Sequence, residues 1–403
     1  MYSKFSTLIS PLNIENFFHH YYEKKYLHLS RNTPTYYDAI LNTDDIDLFF
    51  QNKTLPSSHL RIVNNGEELP AYKWSHRNSS TADNDKLFVL FNQGNTLIIN
   101  SGNSSILKLI NYCADLEREL QLRLQFNIYI TPVNAQGFAP HYDDHDVFIL
   151  QTTGTKRWRL YHSPIELPSQ KQPHCKQKGK YELGEPSFEV ELKPGDLLYI
   201  PRGLIHDAIT TDTASVHITL GLHPNYWFEL LREVADIAED KAEFRRAVPH
   251  ALMNEQYHQD FKAEFRQRLQ ALIDTLDVDE LLTRKSEQYI SNKRSEDQNR
   301  FKDSIQLNKL NLNTVLSRRE NILFTLDKDD EKIYVKFYKK TLDFPRFVEF
   351  SLNTLLQDKS FAVKDIGGLI TDEGKLDLAT KFVQEGFLTI ENINTEHEEV
   401  VAD

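Results

Sequence analysis

The chain of 403 residues is 40% hydrophobic and 26% charged, and its 59 acidic against 47 basic residues give a net charge of −12. This is the composition of a folded soluble chain with a sizeable core, long enough for two or three domains, and its acidity disfavours non-specific nucleic-acid binding and suits basic partners. Its only cysteines, Cys113 and Cys175, form no CxxC pair, which argues against a disulfide framework or thiolate zinc site and fits a reducing cytoplasm. The N-terminus does not read as a signal peptide, and no apolar run is long enough for a membrane span.

Residues 10 to about 120 mix short helical patterns with loops, and the spacing of Leu107, Leu109, Ile110, Cys113, Leu116 and Leu120 predicts a helix over 105–120. From 122 the period becomes two. Leu122, Leu124, Phe126, Ile128 and Ile130 alternate with Arg123, Gln125, Asn127, Tyr129 and Thr131, which predicts a strand with one apolar and one polar face. Further strands are expected at 146–152, 156–161, 187–192, 196–200 and 214–222, with a polar surface loop over 168–185. Short strands separated by Gly and Pro turns indicate a β-barrel or sandwich. After Pro224 the texture is helical: Trp227, Leu230, Leu231, Val234 and Ile237 form one stripe, and Leu269, Leu272, Ile273 and Leu276 another. Trp158 and Trp227 are both expected in cores. Ser286–Asp303 reads as a linker or exposed helix. A strand pair follows at 322–326 and 332–338, then helices near 345–357 and 373–385, and an acidic tail from Glu391.

The segment Pro140-His141-Tyr142-Asp143-Asp144-His145-Asp146 holds the most chemistry. His141 and Asp143, two apart on extended backbone, project to one side and can meet at one metal. A distant histidine completes a two-His-one-carboxylate triad with open coordination positions. His206, delivered by the turn-strand-turn Pro194-Gly195-Asp196-Leu197-Leu198-Tyr199-Ile200-Pro201-Arg202-Gly203-Leu204-Ile205, is that candidate. A competing set within the loop pairs His145 with Asp144 or Asp146, although adjacent residues lack the two-residue stagger. Lys156 opens the strand that follows. Inside a barrel it needs an anionic partner, which a dicarboxylate would supply, and otherwise it is a surface lysine in a hairpin. Asn127 and Tyr129 share the polar strand face, and His217 and Thr219 alternate on theirs. Each pair either lines a cavity or meets other surroundings.

The stretches NIYITPVNAQGFAPHYDDHDVFILQTTGTKRWRLY (127–161), PGDLLYIPRGLIHDA (194–208) and SVHITLGLHP (215–224) resemble the JmjC-type ribosomal oxygenases, cupin-fold 2-oxoglutarate-dependent protein hydroxylases. The resemblance implies an α+β chain: a double-stranded β-helix catalytic domain with an N-terminal helical elaboration over 1–224, a helical dimerisation domain over 225–300, and a winged-helix-like domain over 301–395. FRRAVPHAL (244–252) resembles the dimerisation region, and FAVKDIGGLITDEGKLDLATKFVQEGFLTI (361–390) the winged helix. It further implies Fe(II) on His141, Asp143 and His206, with 2-oxoglutarate and O₂ as co-substrates. Lys156, assisted by Tyr129, would take the distal carboxylate, Asn127 would lie near the iron-side cavity, and His217 matches a family histidine beside the substrate site; Thr219, which alternates with His217, is expected with it among the co-substrate contacts. The implied substrate is a His or Arg side chain of a ribosomal protein, and the implied assembly a cytoplasmic homodimer. Gly221 stands where related enzymes often carry serine, and the acidic loop reads DDHDVF. Both departures touch the substrate side. Three alternatives stay open: the same chemistry on another peptide or a small metabolite, a metal-binding cupin that is no oxygenase, and DNA binding by the winged helix, which its acidity disfavours.

Overall fold

Alternation along the barrel strands sorts their side chains between two cores. In a computed structural model that describes residues 4–172, 182–248, 258–293 and 298–393, the chain forms two compact units divided between Asn225 and Tyr226. Cys175, the middle of the expected surface loop, residues 249–252 of the FRRAVPHAL stretch, 294–297 of the polar segment and the tail beyond 393 lie outside the described residues.

The first unit begins with helices α1 (Lys4–Ile9) and α2 (Ile14–His20), strand β1 (Leu27–Leu29), and α3 (Thr43–Phe50). Strands β2 (Leu60–Asn64) and β3 (Glu67–Glu68) precede α4 (Asn84–Asn92), β4 (Thr96–Ile99) and α5 (Leu107–Leu120). The barrel strands follow: β5 (Arg123–Thr131), β6 (Asp146–Thr153), β7 (Lys156–Leu160), β8 (Phe188–Leu192), β9 (Leu197–Ile200), β10 (His206–Ile209) and β11 (Ser215–His223). They make an antiparallel eight-stranded sheet in the order β1-β9-β6-β11-β5-β4-β2-β3, facing a three-stranded sheet β10-β7-β8. The strands expected from periodicity over 122–222 are all present, within one or two residues.

Phe126, Ile128, Phe148, Leu150, Leu197 and Tyr199 turn outward into a core shared with the N-terminal helices and Leu109 and Leu116 of α5. Their neighbours Val147, Ile149, Leu198 and Ile200 turn inward and pack with Trp158, Leu160 and Leu192. Strands buried on both faces read in sequence as unbroken apolar runs, VFIL and LLYI, because neither side meets water. Burial of this apolar surface is the main force holding the sandwich together. Strands β1 to β4 and the short β10 escaped the sequence reading. The all-buried run Thr96–Ile99 is too short to show a period, and its pairing with β2 and β5 is long-range.

The second unit contains α6 (Trp227–Glu239), α7 (His258–Asp274), α8 (Val278–Asn292) and α9 (Arg300–Gln306). Strands β12 (Val315–Arg318), β13 (Thr325–Lys328), β14 (Lys332–Phe337) and β15 (Lys340–Pro345) follow, then α10 (Glu349–Leu356), β16 (Phe361–Ala362), α11 (Asp372–Glu385) and β17 (Leu388–Asn392). β13, β14 and β15 form an antiparallel meander, and β12 lies between β16 and β17. Phe337, Leu355, Phe382 and Phe387 centre their core. The helical stripes need correction. Trp227, expected in a core, is 85% exposed, because α6 buries Glu233, Ile237 and Ala238 while Leu231 shares the outer side. In α7 only Leu272 of the predicted stripe is buried, and Ile273 is exposed. Among the described residues no helix is long and apolar enough to cross a membrane.

Candidate metal and co-substrate site

Backbone pairing brings the candidate ligands together. His141 N–H donates to His206 O at 3.1 Å and His206 N–H returns a bond to His141 O at 2.8 Å, an isolated antiparallel bridge between the acidic loop and the start of β10. The imidazole centroids are therefore only 4.6 Å apart. Gly203 N–H donates to Asp143 O at 3.0 Å, which fastens the turn before His206 to the backbone of the third candidate ligand. That turn requires glycine: φ at Gly203 is +88°, and a Cβ there would lie 2.7 Å from Ile165 O. Asp146 reinforces the joint, its Oδ1 accepting from Arg202 N–H at 2.9 Å and Tyr199 O–H at 3.1 Å. Burial pushes the Asp146 carboxyl up to about 6.

The side chains follow the same logic. His141 Nδ1 lies 2.9 Å from Ala139 O and His206 Nδ1 lies 3.0 Å from Leu204 O. A carbonyl can only accept, so each Nδ1 carries the proton and each Nε2 lone pair is free for a cation. His141 Nε2 and His206 Nε2 stand 3.8 and 3.7 Å from the two carboxylate oxygens of Asp143. One ligand atom from each residue falls within 4.8 Å of the others, an arrangement found at this place alone among the described residues. Burial, and then the neighbouring His141, depress His206 to about 4, so it is neutral and ready to ligate at physiological pH. His145 is employed elsewhere, with Nδ1 3.0 Å from Asp144 Oδ1 and its ring stacked on His223 at 4.6 Å. Gly221 makes room for it: a Cβ there would stand 2.9 Å from His145 Cδ2 and Nε2.

The triad opens onto a cavity lined also by Tyr129, Lys156, Trp158, His217 and Thr219. Lys156 is 3% exposed, its Nζ donates to Thr131 Oγ1 at 2.9 Å, and among the described residues no carboxylate pairs with it. Desolvation lowers it from 10.5 to about 7. Tyr129 and His217 lie opposite each other in the β5–β11 register, and their rings stack at 4.8 Å and 6°. Burial raises the Tyr129 phenol and holds His217 well below its ordinary value, so both are neutral. Asn127 is not brought to this cavity. Its Oδ1 accepts from Ser101 N–H at 2.9 Å and the Gln125 amide at 3.3 Å, one pleat beyond the lining. Sequence reasoning missed Thr131, although it shares the Asn127–Tyr129 face by strict alternation, and Trp158, which lines the cavity while packing in the inner core.

The family profile described as the JmjC domain matches residues 108–230, which span this site. This segment is similar to a JmjC domain. The chain is similar to the bifunctional lysine-specific demethylase and histidyl-hydroxylase NO66 of Dictyostelium discoideum, 35% identical over 60% of this chain and 48% of that protein. It is likewise similar to human ribosomal oxygenase 1, 32% identical over 62% of this chain and 40% of that protein. The chain thus spans less than half the length of these curated relatives. The fold resembles that of the ribosomal oxygenase YcfD from Escherichia coli, with a TM-score of 0.51 at 18% identity over 95% of this chain and 99% of that one. A further YcfD structure, in complex with cobalt and 2-oxoglutarate, gives a TM-score of 0.50 at 18% identity over 95% of this chain and 99% of that one.

Proposed function

We propose that this protein is an Fe(II)- and 2-oxoglutarate-dependent oxygenase that hydroxylates a His or Arg side chain of a ribosomal protein. One observation carries the reading: a His-Asp-His cluster with free Nε2 lone pairs shares a cavity with a buried lysine that has no carboxylate of its own among the described residues. Two imidazoles and one carboxylate with open positions are the donor set of non-haem Fe(II). A desolvated ammonium calls for a dicarboxylate. The residues present fit both groups. Bound together with O₂, they supply the oxidising chemistry that places a hydroxyl on an unactivated carbon while the 2-oxo acid becomes succinate and CO₂.

The chain's own part is binding and placement. His141, Asp143 and His206 hold the metal, and Lys156, assisted by Tyr129 and steadied by Thr131, anchors the far carboxylate. His217 and Thr219 wall the molecule from the β11 side. Apolar Ile149, Trp158 and Ala208 keep water from the reacting groups. The ribosomal substrate is supported by the names of the relatives and by the acidic chain, whose charge of −12 suits a basic partner. The same chemistry on another peptide or a small metabolite is the competing reading.

We extend the proposal to the domains: a catalytic domain over 1–224, a helical dimerisation domain over 225–300 and a winged-helix-like scaffold over 301–395. Exposed Leu231, Ile273 and Leu282 on α6 to α8 favour a homodimer, and light scattering at micromolar concentration will give a dimer mass. The setting proposed is the cytoplasm. An anaerobic titration with Fe(II) and 2-oxoglutarate tests the central claim, which requires a visible charge-transfer band that disappears in His141→Ala. Metal binding without any band leaves a cupin that is no oxygenase. Mass spectrometry of ribosomal proteins from a strain lacking the gene then tests the substrate, through loss of one hydroxylation.

A further inference from the structure

Trp158 is 5% exposed, lines the cavity, and has an indole Nε1 that is buried without a hydrogen-bond partner among the described residues. The other tryptophans differ: Trp74 donates its Nε1–H to Leu69 O at 3.2 Å, and Trp227 lies at the surface. A buried donor left unmatched is costly and rare, and one that faces a ligand cavity points to an acceptor that arrives with the ligand.

Its place on β7 fixes which ligand. Lys156, Trp158 and Leu160 share one strand face. Trp158 stands opposite Ala208, and Leu160 opposite His206. The indole ring is 6.1 Å from the His206 imidazole and 5.4 Å from that of His217. A molecule reaching from the triad to Lys156 must pass the indole. His217 Nδ1, also buried and without a partner, flanks the same passage.

We propose that the Trp158 indole N–H donates a hydrogen bond to a carboxylate oxygen of the bound 2-oxo dicarboxylate, making Trp158 a co-substrate-binding residue rather than core filler. The inference rests on the 2-oxoglutarate reading above. A neutral donor here orients the ligand between its two charged anchors without adding a second buried charge.

The test uses full-length protein loaded with Zn(II), a diamagnetic stand-in for Fe(II), and 2-oxoglutarate as the probe. Calorimetry should show Trp158→Phe weakening 2-oxoglutarate about tenfold, the worth of one hydrogen bond to a charged acceptor, with Zn(II) affinity unchanged. Phenylalanine keeps an aromatic ring in the core, and the wild-type protein provides a second measurement that needs no variant at this site. Of three ¹⁵N-indole resonances, one should move strongly downfield on adding 2-oxoglutarate. Trp74→Phe and Trp227→Phe each remove one of the other two, which assigns it. Equal affinity in Trp158→Phe with no shifted indole signal overturns the inference while leaving the oxygenase reading intact, and would mean that the N–H points at the His217 ring. If the Zn(II)-loaded wild type binds no 2-oxoglutarate, the oxygenase reading falls and this inference with it.

Discussion

At the triad end of the cavity, both imidazoles donate Nδ1–H to nearby carbonyls and pair through their own main chain, so every group but the metal-facing lone pairs is matched. At the lysine end the reverse holds. Among the described residues Lys156 is buried without a counter-charge, and Trp158 Nε1 and His217 Nδ1 have no partners. The first end is placed by the backbone and costs the fold little. The second is held in an unfavourable state by the surrounding core, and a bound anion would relieve it. Pre-organised sites commonly sacrifice stability in this way.

Breaking the triad end gives the largest effect. His141→Ala or Asp143→Ala should abolish turnover and weaken metal binding by at least about 100-fold, since even outer partners of metal ligands cost up to that much. The melting temperature should hardly move, because neither side chain belongs to a packed core. A metal titration and thermal melts check both. Full activity in either variant would remove the ligand assignment.

Breaking the lysine end should separate binding from stability. Lys156→Met should weaken 2-oxoglutarate by roughly 100-fold, equivalent to about 3 kcal/mol for a charge-assisted contact. The same change should stabilise the ligand-free protein by about 1–4 kcal/mol at pH 7, as replacement of buried ionic groups by apolar ones does. The sign follows from the depressed lysine. Its folded value of about 7 lies below the ordinary 10.5, so the penalty is complete below about pH 7, declines as pH rises past it and vanishes above 10.5. The stability gap between variant and wild type, measured in urea, should accordingly shrink as pH rises towards 10.

Ligand binding sharpens the contrast through pH. A dicarboxylate holds Lys156 charged, so above its free value of about 7 binding must take up a proton. Affinity for 2-oxoglutarate should fall by up to about tenfold per pH unit from 7 upward, and Lys156→Met should flatten the slope. Calorimetry in buffers of different ionisation enthalpy would register the proton; equal heats after buffer correction would count against it. The smallest effect expected is that of Thr131→Val, which removes the hydroxyl that accepts from Lys156 and should weaken 2-oxoglutarate by about threefold to tenfold.

The sequence by itself determined six of the seven strands β5 to β11, missing β10, and singled out the three residues that the structure gathers in one cluster. Period-two alternation follows from backbone pleating, and the His141–Asp143 stagger is a property of any extended segment. Lys156, Tyr129, His217 and Thr219 were legible as polar residues on strand faces, and the structure gathers them at one cavity. Only the tertiary structure decided where Asn127 points, because one pleat separates the cavity lining from a bond to Ser101. It alone decided that Trp227 is exposed, since an apolar helical stripe does not specify what covers it. It alone placed strands β1, β2 and β4, which pair with strands distant in sequence, and the two-residue β3 that closes a hairpin on β2. The charge state of Lys156 and the unmatched Trp158 nitrogen also lie beyond any pattern of residues. Both arise from what surrounds a side chain in three dimensions, and desolvation has no periodicity to read.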